Sequence, residues 1–378
     1  MLYLVKALVV NDMTTVIRLN EEIARYGGPE YMSETLQGIM DKYDRVRILW
    51  DVNSNVQIYK KISLNQGVTI ESESTNAPVV ELVGDGKIVV NSDCVLRGIE
   101  FRQLSDNSKP GVKSFALRVS GNNIELEDIV LSGVSNYGIL VVDSENVSVS
   151  KCKIHGFDIA GVTLRDSTFQ VSETTVDGCG HGIHMLGSAG VVTGCTANGN
   201  SKHGFTVVHC ADPVVISDCN SSGNSRNGFV FGGSSRDRPS NSNWRITGCT
   251  AQMNARNGIS VDPTKKNSDE VVYQAGSIEE CVSLENKKHG IFITHAENVS
   301  IIKCVCNDNR ISGIALSKSR DITINKSATI GNNKAEIAIY GTKLKNTGAY
   351  SIKSHINKIS DSDVFMKDDP PLGIFIEK

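Results

Sequence analysis

Histidine recurs in this chain at places that a repeat would make equivalent. His181, His203 and His289 each precede a glycine followed by an apolar residue, as in His203-Gly204-Phe205. His184 falls two residues after Gly182, while His209 and His295 close the phrases that Gly204 and Gly290 open. Arg165 ends the phrase led by Gly161, and Asp143, Asp166 and Asp262 stand at the ends of similar phrases. Imidazoles titrate near neutrality, so they can take or give a proton at physiological pH. Two carboxylates on neighbouring units, such as Asp143 and Asp166, are the ingredients of acid–base hydrolysis, which inverting enzymes run with carboxyls about 6.5–9.5 Å apart. An aspartate at a turn more often satisfies backbone groups. Whether any of these side chains meet depends on what the repeat folds into.

The glycines Gly138, Gly161, Gly182, Gly204, Gly228, Gly258, Gly290 and Gly313 mark successive units. Nine residues before six of them stand Cys152, Cys195, Cys219, Cys249, Cys281 and Cys304. Ile129 holds that place before Gly138, Ser327 holds it before Glu336, and Thr174 occupies it in the unit of Gly182, which is one residue short. Each unit carries two short alternating runs, such as Val147 to Cys152 and Gly138 to Val141, with Asn, Gly, Ser and Asp at the joins. An apolar period of two over runs this short predicts strands. A unit of two or three such strands cannot bury its own apolar face and must stack on the next. The expected class is therefore all-β: a right-handed single-stranded parallel β-helix of about 10–12 coils, with like residues piled at roughly 4.8 Å.

In that geometry the six cysteines form an inward column of free thiols acting as small hydrophobes. Side chains stacked in parallel suit a disulfide poorly, and no CxxC pair of zinc spacing occurs. Free thiols favour a reducing compartment. On the glycine-led strand, the residues one and three places after glycine are apolar throughout and should point inward, so those two and four places after it should face out. This puts Arg165, His184 and Asp262 outside, with Tyr137, His181, His203 and His289 at the near edge and Asp143, Asp166, His209 and His295 at the far end. It also leaves Leu140, Val142, Leu186, Val208, Val230 and Phe292 outside, an apolar strip that a subunit contact would explain.

The organisation expected is an N-terminal cap over 1–55 with helices at Thr14 to Tyr26 and Glu34 to Tyr43, a β-helix over 56–340, and a closing segment over 341–378. The apolar start, Met1 to Val10, is too short to span a bilayer and lacks a small-residue cleavage site, so no secretion signal is read. The expected location is cytoplasmic or virion-associated. Net charge is -3, with 39 basic and 42 acidic residues, which points to neither nucleic acid nor membrane as partner. Two units are lengthened at one corner, Gly232 to Asn243 and Asp262 to Ala275. Insertions in a solenoid gather on one face, often the binding face. Arg236, Arg238 and Lys265 in these insertions suit an anionic ligand, and Tyr273 could stack on a sugar.

The Asn-x-x-x-Gly-Ile phrase after a Val-x-Ile-x-x-Cys strand resembles the pectate-lyase-like superfamily over about 60–340, closest in style to mannuronan C5-epimerases and phage tailspike depolymerases. The epimerase hexapeptide Tyr-Gly-Phe-Asp-Pro-His is absent; the nearest phrase is Asn257-Gly258-Ile-Ser-Val-Asp262-Pro263. The resemblance implies an acidic polysaccharide as partner and proton abstraction from a uronide, by lyase or epimerase chemistry. That reaction needs a cation on the carboxylate, a base and an acid. Arg165 would neutralise, His184 would be the base, and His203 or Tyr137 the acid, with Asp166 beside them and His181, His209, Asp143 and Asp262 lining the groove. The residues imply no cofactor, and calcium enters through the resemblance alone. The alternatives are a tailspike-type hydrolase and a non-catalytic glycan-binding or structural protein, for which a homotrimer is open.

Overall fold

The computed structural model describes residues 8–9, 15–19, 36, 38, 45–50, 56–72, 77–104, 114–210, 212–232, 243–263, 272–340, 351–352 and 358–359. They form a parallel β-solenoid of about eleven turns. Each turn contributes one strand to each of three parallel sheets, and the chain divides into two compact units, Met1–Cys179 and Gly180–Lys378.

In the first unit the sequence of a turn reads, for example, Val147–Ser150, Lys153–His155 and Ala160–Arg165. The registers are those the repeat demands: Ile139 pairs with Val162 and Val141 with Leu164. Those four side chains are wholly buried, as alternation predicts. The outward residues behave differently. Leu140 and Val142 are only 8% and 4% exposed, because Tyr137, Ala160, Phe115 and Ile159 pack with them into a small apolar cluster. The bare strip expected from alternation is thus covered here.

The N-terminal expectation is corrected at Thr15–Leu19, which is a strand and not a helix; it pairs in parallel with Val46–Trp50 and antiparallel with Leu8–Val9. An unpaired edge of a parallel sheet offers a row of free backbone groups, and the β-branched run Thr15, Val16, Ile17 suits it better than its helical spacing suggests. Of the second expected helix, Leu36 and Gly38 are helical, and Leu36 is buried against the first turns beside Ile58, Ile62 and Phe101; its other residues lie outside the described ones.

In the second unit the glycine-led sheet runs from His181–Leu186 through Phe205–Val208, Phe229–Gly232, Ile259–Asp262, Ile291–Thr294, Ser312–Ser317 and Ala335–Tyr340 to Lys358–Ile359. Parallel pairing thus continues beyond residue 340, where the repeat fades in sequence. Behind it lie two ladders. In the cysteine column, the backbone N–H of Cys195 reaches the Cys219 sulfur at 3.4 Å and that of Cys219 reaches the Cys249 sulfur at 3.3 Å. Ser327 takes the same role for Cys304, which is why a hydroxyl can occupy this place. All ten cysteines are buried and free. The second ladder is built by Asn200, Asn224, Asn254, Asn286, Asn309 and Asn332, each four residues before the repeat glycine or Glu336. Each side-chain carbonyl accepts both the backbone and the amide N–H of the asparagine one turn earlier, at 2.9–3.1 Å along the column.

Candidate functional site

The imidazoles assemble in the second unit. His184 lies on the outer side of its strand, between Ile183 and Met185, which are both in the core. His181, one place before the glycine, lays its ring against His184 at 5.0 Å and 15°, and against His203 of the following turn at 5.4 Å and 28°. Nδ1 of His181 bonds the hydroxyl of Thr206 at 3.0 Å. Nδ1 of His203 accepts the backbone N–H of Asn227 at 3.3 Å. Further down, Asn227 accepts from the N–H of Asn257 at 2.9 Å, and Asn257 from that of His289 at 3.2 Å. At His203, Asn227 and Asn257 the place before the glycine therefore accepts a backbone N–H, whereas Nδ1 of His289 has no hydrogen-bond partner among the described residues. Histidine and asparagine interchange in that place because each offers an acceptor.

Burial, with His184 and His203 adding to it, pushes the pKa of His181 down to about 2. Burial, then Arg226 and Arg256, bring His203 down to about 4. His289, stacked on Phe292 at 5.3 Å, falls to about 4 through burial and then Lys288 and Lys334. These rings are neutral at neutral pH, which narrows the acid role expected of His203. With Nδ1 occupied as an acceptor, its proton sits on Nε2 and serves as a neutral hydrogen-bond donor.

The cations in this neighbourhood are Lys202, Arg226, Arg256, Lys288 and Lys334, each two residues before the repeat glycine or Glu336. Reading the sequence by its glycines placed the imidazoles but passed over this column, although the same register exposes it. His209 and His295 occur where the strand turns, with φ of 56° and 51°, and His295 meets the Thr294 hydroxyl at 2.8 Å. Asp262 ends its strand, exposed.

The other expected residues belong to the first unit. Arg165 ends the strand Ala160–Arg165, half-buried. Asp143 and Asp166 follow their strands with φ of 50° each, a left-handed turn that aspartate tolerates, and both are exposed. Tyr137, expected at an open edge, is 7% exposed inside the apolar cluster with Leu140 and Val142. Arg236, Arg238 and Lys265 lie outside the described residues. Tyr273 belongs to the strand Val272–Glu279 and not to a loop, its backbone opposite Glu297.

A family model for a right-handed β-helix region matches residues 54–235, and one described as a periplasmic copper-binding protein, NosD, matches residues 236–378. No curated protein matches by sequence. Among solved structures, the A-module of a mannuronan C-5 epimerase from Azotobacter vinelandii is 14% identical, with a TM-score of 0.55 over 89% of this chain and 96% of that one. A variant of the periplasmic alginate epimerase AlgG is 11% identical, with a TM-score of 0.57 over 89% and 85%. The Dettilon tailspike protein is 13% identical, with a TM-score of 0.53 over 86% and 65%. The fold is thus the right-handed parallel β-helix. That is the fold which the resemblance to the pectate-lyase-like superfamily implies.

The expected cytoplasmic or virion-associated location is corrected by the match to a periplasmic family, which points to the periplasm or beyond. The free thiols are no obstacle to that. They face the core, and burial pushes those of Cys152 and Cys179 up to about 12 and about 11, so a reactive thiolate is scarce. Copper is part of the NosD description, but the donors described in the matched region do not fit it. No three His, Cys, Asp or Glu side chains converge among the described residues, and Cys249, Cys281 and Cys304 each give their thiol proton to a backbone carbonyl.

Proposed function

We propose that the protein acts on an acidic polysaccharide by proton abstraction from a uronide, as a lyase or C5-epimerase. The observation that carries this reading is the stacked trio His181, His184 and His203 on the glycine-led sheet, with cations beside it. His184 is the base, directed outward from the flat of the sheet. His181 is a positioning residue: its ring holds that of His184, and its own proton exchange is suppressed by burial. His203 presents an N–H to a developing negative charge, the kind of preorganised donor that stabilises an enolate-like transition state. Cationic neutralisation of the carboxylate, first expected of Arg165, has candidates in Arg226 and Arg256 of the same unit.

The fold of the epimerases and the tailspike supports a carbohydrate partner, since each of those proteins shares this wall. Incubation with a panel of polyuronates tests it, with ultraviolet absorbance reading out unsaturated ends and proton NMR reading out inverted residues. His184→Ala should abolish either signal, while His181→Phe, which keeps a ring in the stack, should retain part of it. Full activity in His184→Ala would remove the base assignment. A hydrolase using Asp143 and Asp166 would instead yield reducing ends without absorbance. A non-catalytic trimer would yield neither, with a mass three times that of the chain.

A further inference from the structure

The basic residues two places before each repeat glycine form a ladder of their own. Successive members are neighbours through the backbone: the N–H of Arg226 meets the carbonyl of Lys202 at 2.8 Å, that of Arg256 meets Arg226 at 2.9 Å, and that of Lys288 meets Arg256 at 3.0 Å. Ile311 takes the next place, and Lys334 follows it, its N–H on the Ile311 carbonyl at 2.8 Å. Stacked turns rise by about 4.8 Å, so these positive charges repeat along the axis at nearly that step. Arg226, Arg256, Lys288 and Lys334 are exposed, and among the described residues none of the five cations forms an ion pair.

The contrast lies within the same unit. On the sheet that follows the glycine-led one, cations are matched: Arg245 with Glu279 at 2.5 Å, Lys303 with Glu280 at 2.8 Å and Arg320 with Glu297 at 2.6 Å. Glu285 and Asp308, three residues upstream of Lys288 and Ile311, pair with no member of the unpaired column, and the buried Glu336 two residues after Lys334 is bonded to Asn332. Like charges directly opposite on neighbouring strands repel, so a column left unneutralised calls for a counter-charge from outside. A single small anion would meet only two of its members. A chain bearing one negative group at regular intervals would meet them all.

We propose that Lys202, Arg226, Arg256, Lys288 and Lys334 form a linear track for a polyuronate, its carboxylates laid across successive turns and its sugar rings passing the edge where His181, His184 and His203 stand. The track rests on the reading of an acidic polysaccharide and adds where the polymer lies and what holds it. The neutral imidazoles of His181 and His203 beside the column do not add to its repulsion. The sign and linear repeat of the charge, and the absence of aromatic platforms within the column, favour a uronan over a nucleic acid, which would ask for stacking surfaces.

Affinity electrophoresis and calorimetry on the full chain test this with polygalacturonate and polymannuronate, a neutral glucan and single-stranded DNA. The expected result is binding of a polyuronate that weakens several-fold between low and physiological salt, as exposed charges must, with no binding of the glucan. Arg226→Ala with Arg256→Ala should cost at least tenfold, and Arg226→Glu with Arg256→Glu more, whereas Arg245→Ala with Lys303→Ala on the paired face should leave affinity unchanged. All four positions are exposed, and circular dichroism confirms that each variant is folded. Wild-type affinity in the Arg226 and Arg256 variants would overturn the track, even if unsaturated product still formed and the functional reading stood. DNA bound as tightly as polyuronate, or glucan bound as well, would overturn it too. Salt-sensitive binding lost in those variants, with no product from any polyuronate, would support the track and remove the enzymatic reading.

Discussion

Replacing Asn254 by alanine tests the asparagine ladder where it is most enclosed. Asn254 is wholly buried, and its side chain makes four hydrogen bonds. Its carbonyl accepts the backbone N–H of Asn224 at 3.1 Å and the Asn224 amide at 3.0 Å. Its own amide donates to the Ser221 carbonyl and to Asn286, each at 3.0 Å. The Asn224 amide keeps partners in Ala197 and Ser221, but the Asn224 backbone N–H and the Ser221 carbonyl each lose the partner that Asn254 provided. Two buried groups so stripped cost about 1–3 kcal/mol each, and the vacated volume adds to that, so Asn254→Ala should lose about 3–5 kcal/mol. That is a large share of a typical domain's stability of about 5–15 kcal/mol. Guanidinium unfolding followed by circular dichroism reads the loss, and hydrogen exchange at the Asn224 amide reads its locality. Arg245→Ala, an exposed control, should cost under about 1 kcal/mol. A loss in Asn254→Ala no larger than the control's would refute the claim that the ladder holds the turns in register.

His203 and His289 have folded pKa values near 4 against an unfolded value near 6.5, so the unfolded chain takes up protons first as pH falls. Stability should be full above pH 6.5 and decline towards pH 4, by at most about 3 kcal/mol for each of these two imidazoles, with His181 adding to the fall; a thermal melting series reads it, and His203→Asn with His289→Asn should lessen the decline without abolishing it. The thiols should be inert to an aromatic disulfide reagent in the native protein, and all ten should titrate in denaturant; rapid native labelling would place some outside the core. Gly276→Ala would set a methyl 2.0 Å from the Trp244 indole, which is itself buried and bonded to Gln274, so a clear drop in the unfolding midpoint is expected.

The cysteine and glycine markers were enough to place the strands and the inward column, because stacked turns force equivalent residues into one environment. They also predicted which side of the glycine-led strand His184 would occupy. What stayed hidden were effects of neighbours that no single repeat records. Leu140 and Val142 alternate outward, yet Tyr137, Phe115 and Ile159 cover them. Thr15–Leu19 carries helical spacing, yet the strand Val46–Trp50 offers it a partner. The histidines before glycine suggested proton chemistry through their type alone, but their backbone hydrogen bonds give His203 a structural task shared with Asn227 and Asn257. The unpaired cations were present in the same register as the imidazoles. Their significance required knowing that Arg245, Lys303 and Arg320 already have partners.

Glu336 stands where a glycine would continue the repeat, and its buried carboxylate takes the Asn332 backbone N–H at 3.4 Å and the Asn332 amide at 2.5 Å. Every earlier asparagine depends on the turn after it for an acceptor; Asn332 finds one within its own turn. Turns could therefore be duplicated or deleted upstream, lengthening or shortening the molecule by whole steps, while the sequence at Glu336 writes the end of the series. The amide column thus stops at Glu336 while the strands themselves pair on, into Ser351–Ile352 and Lys358–Ile359.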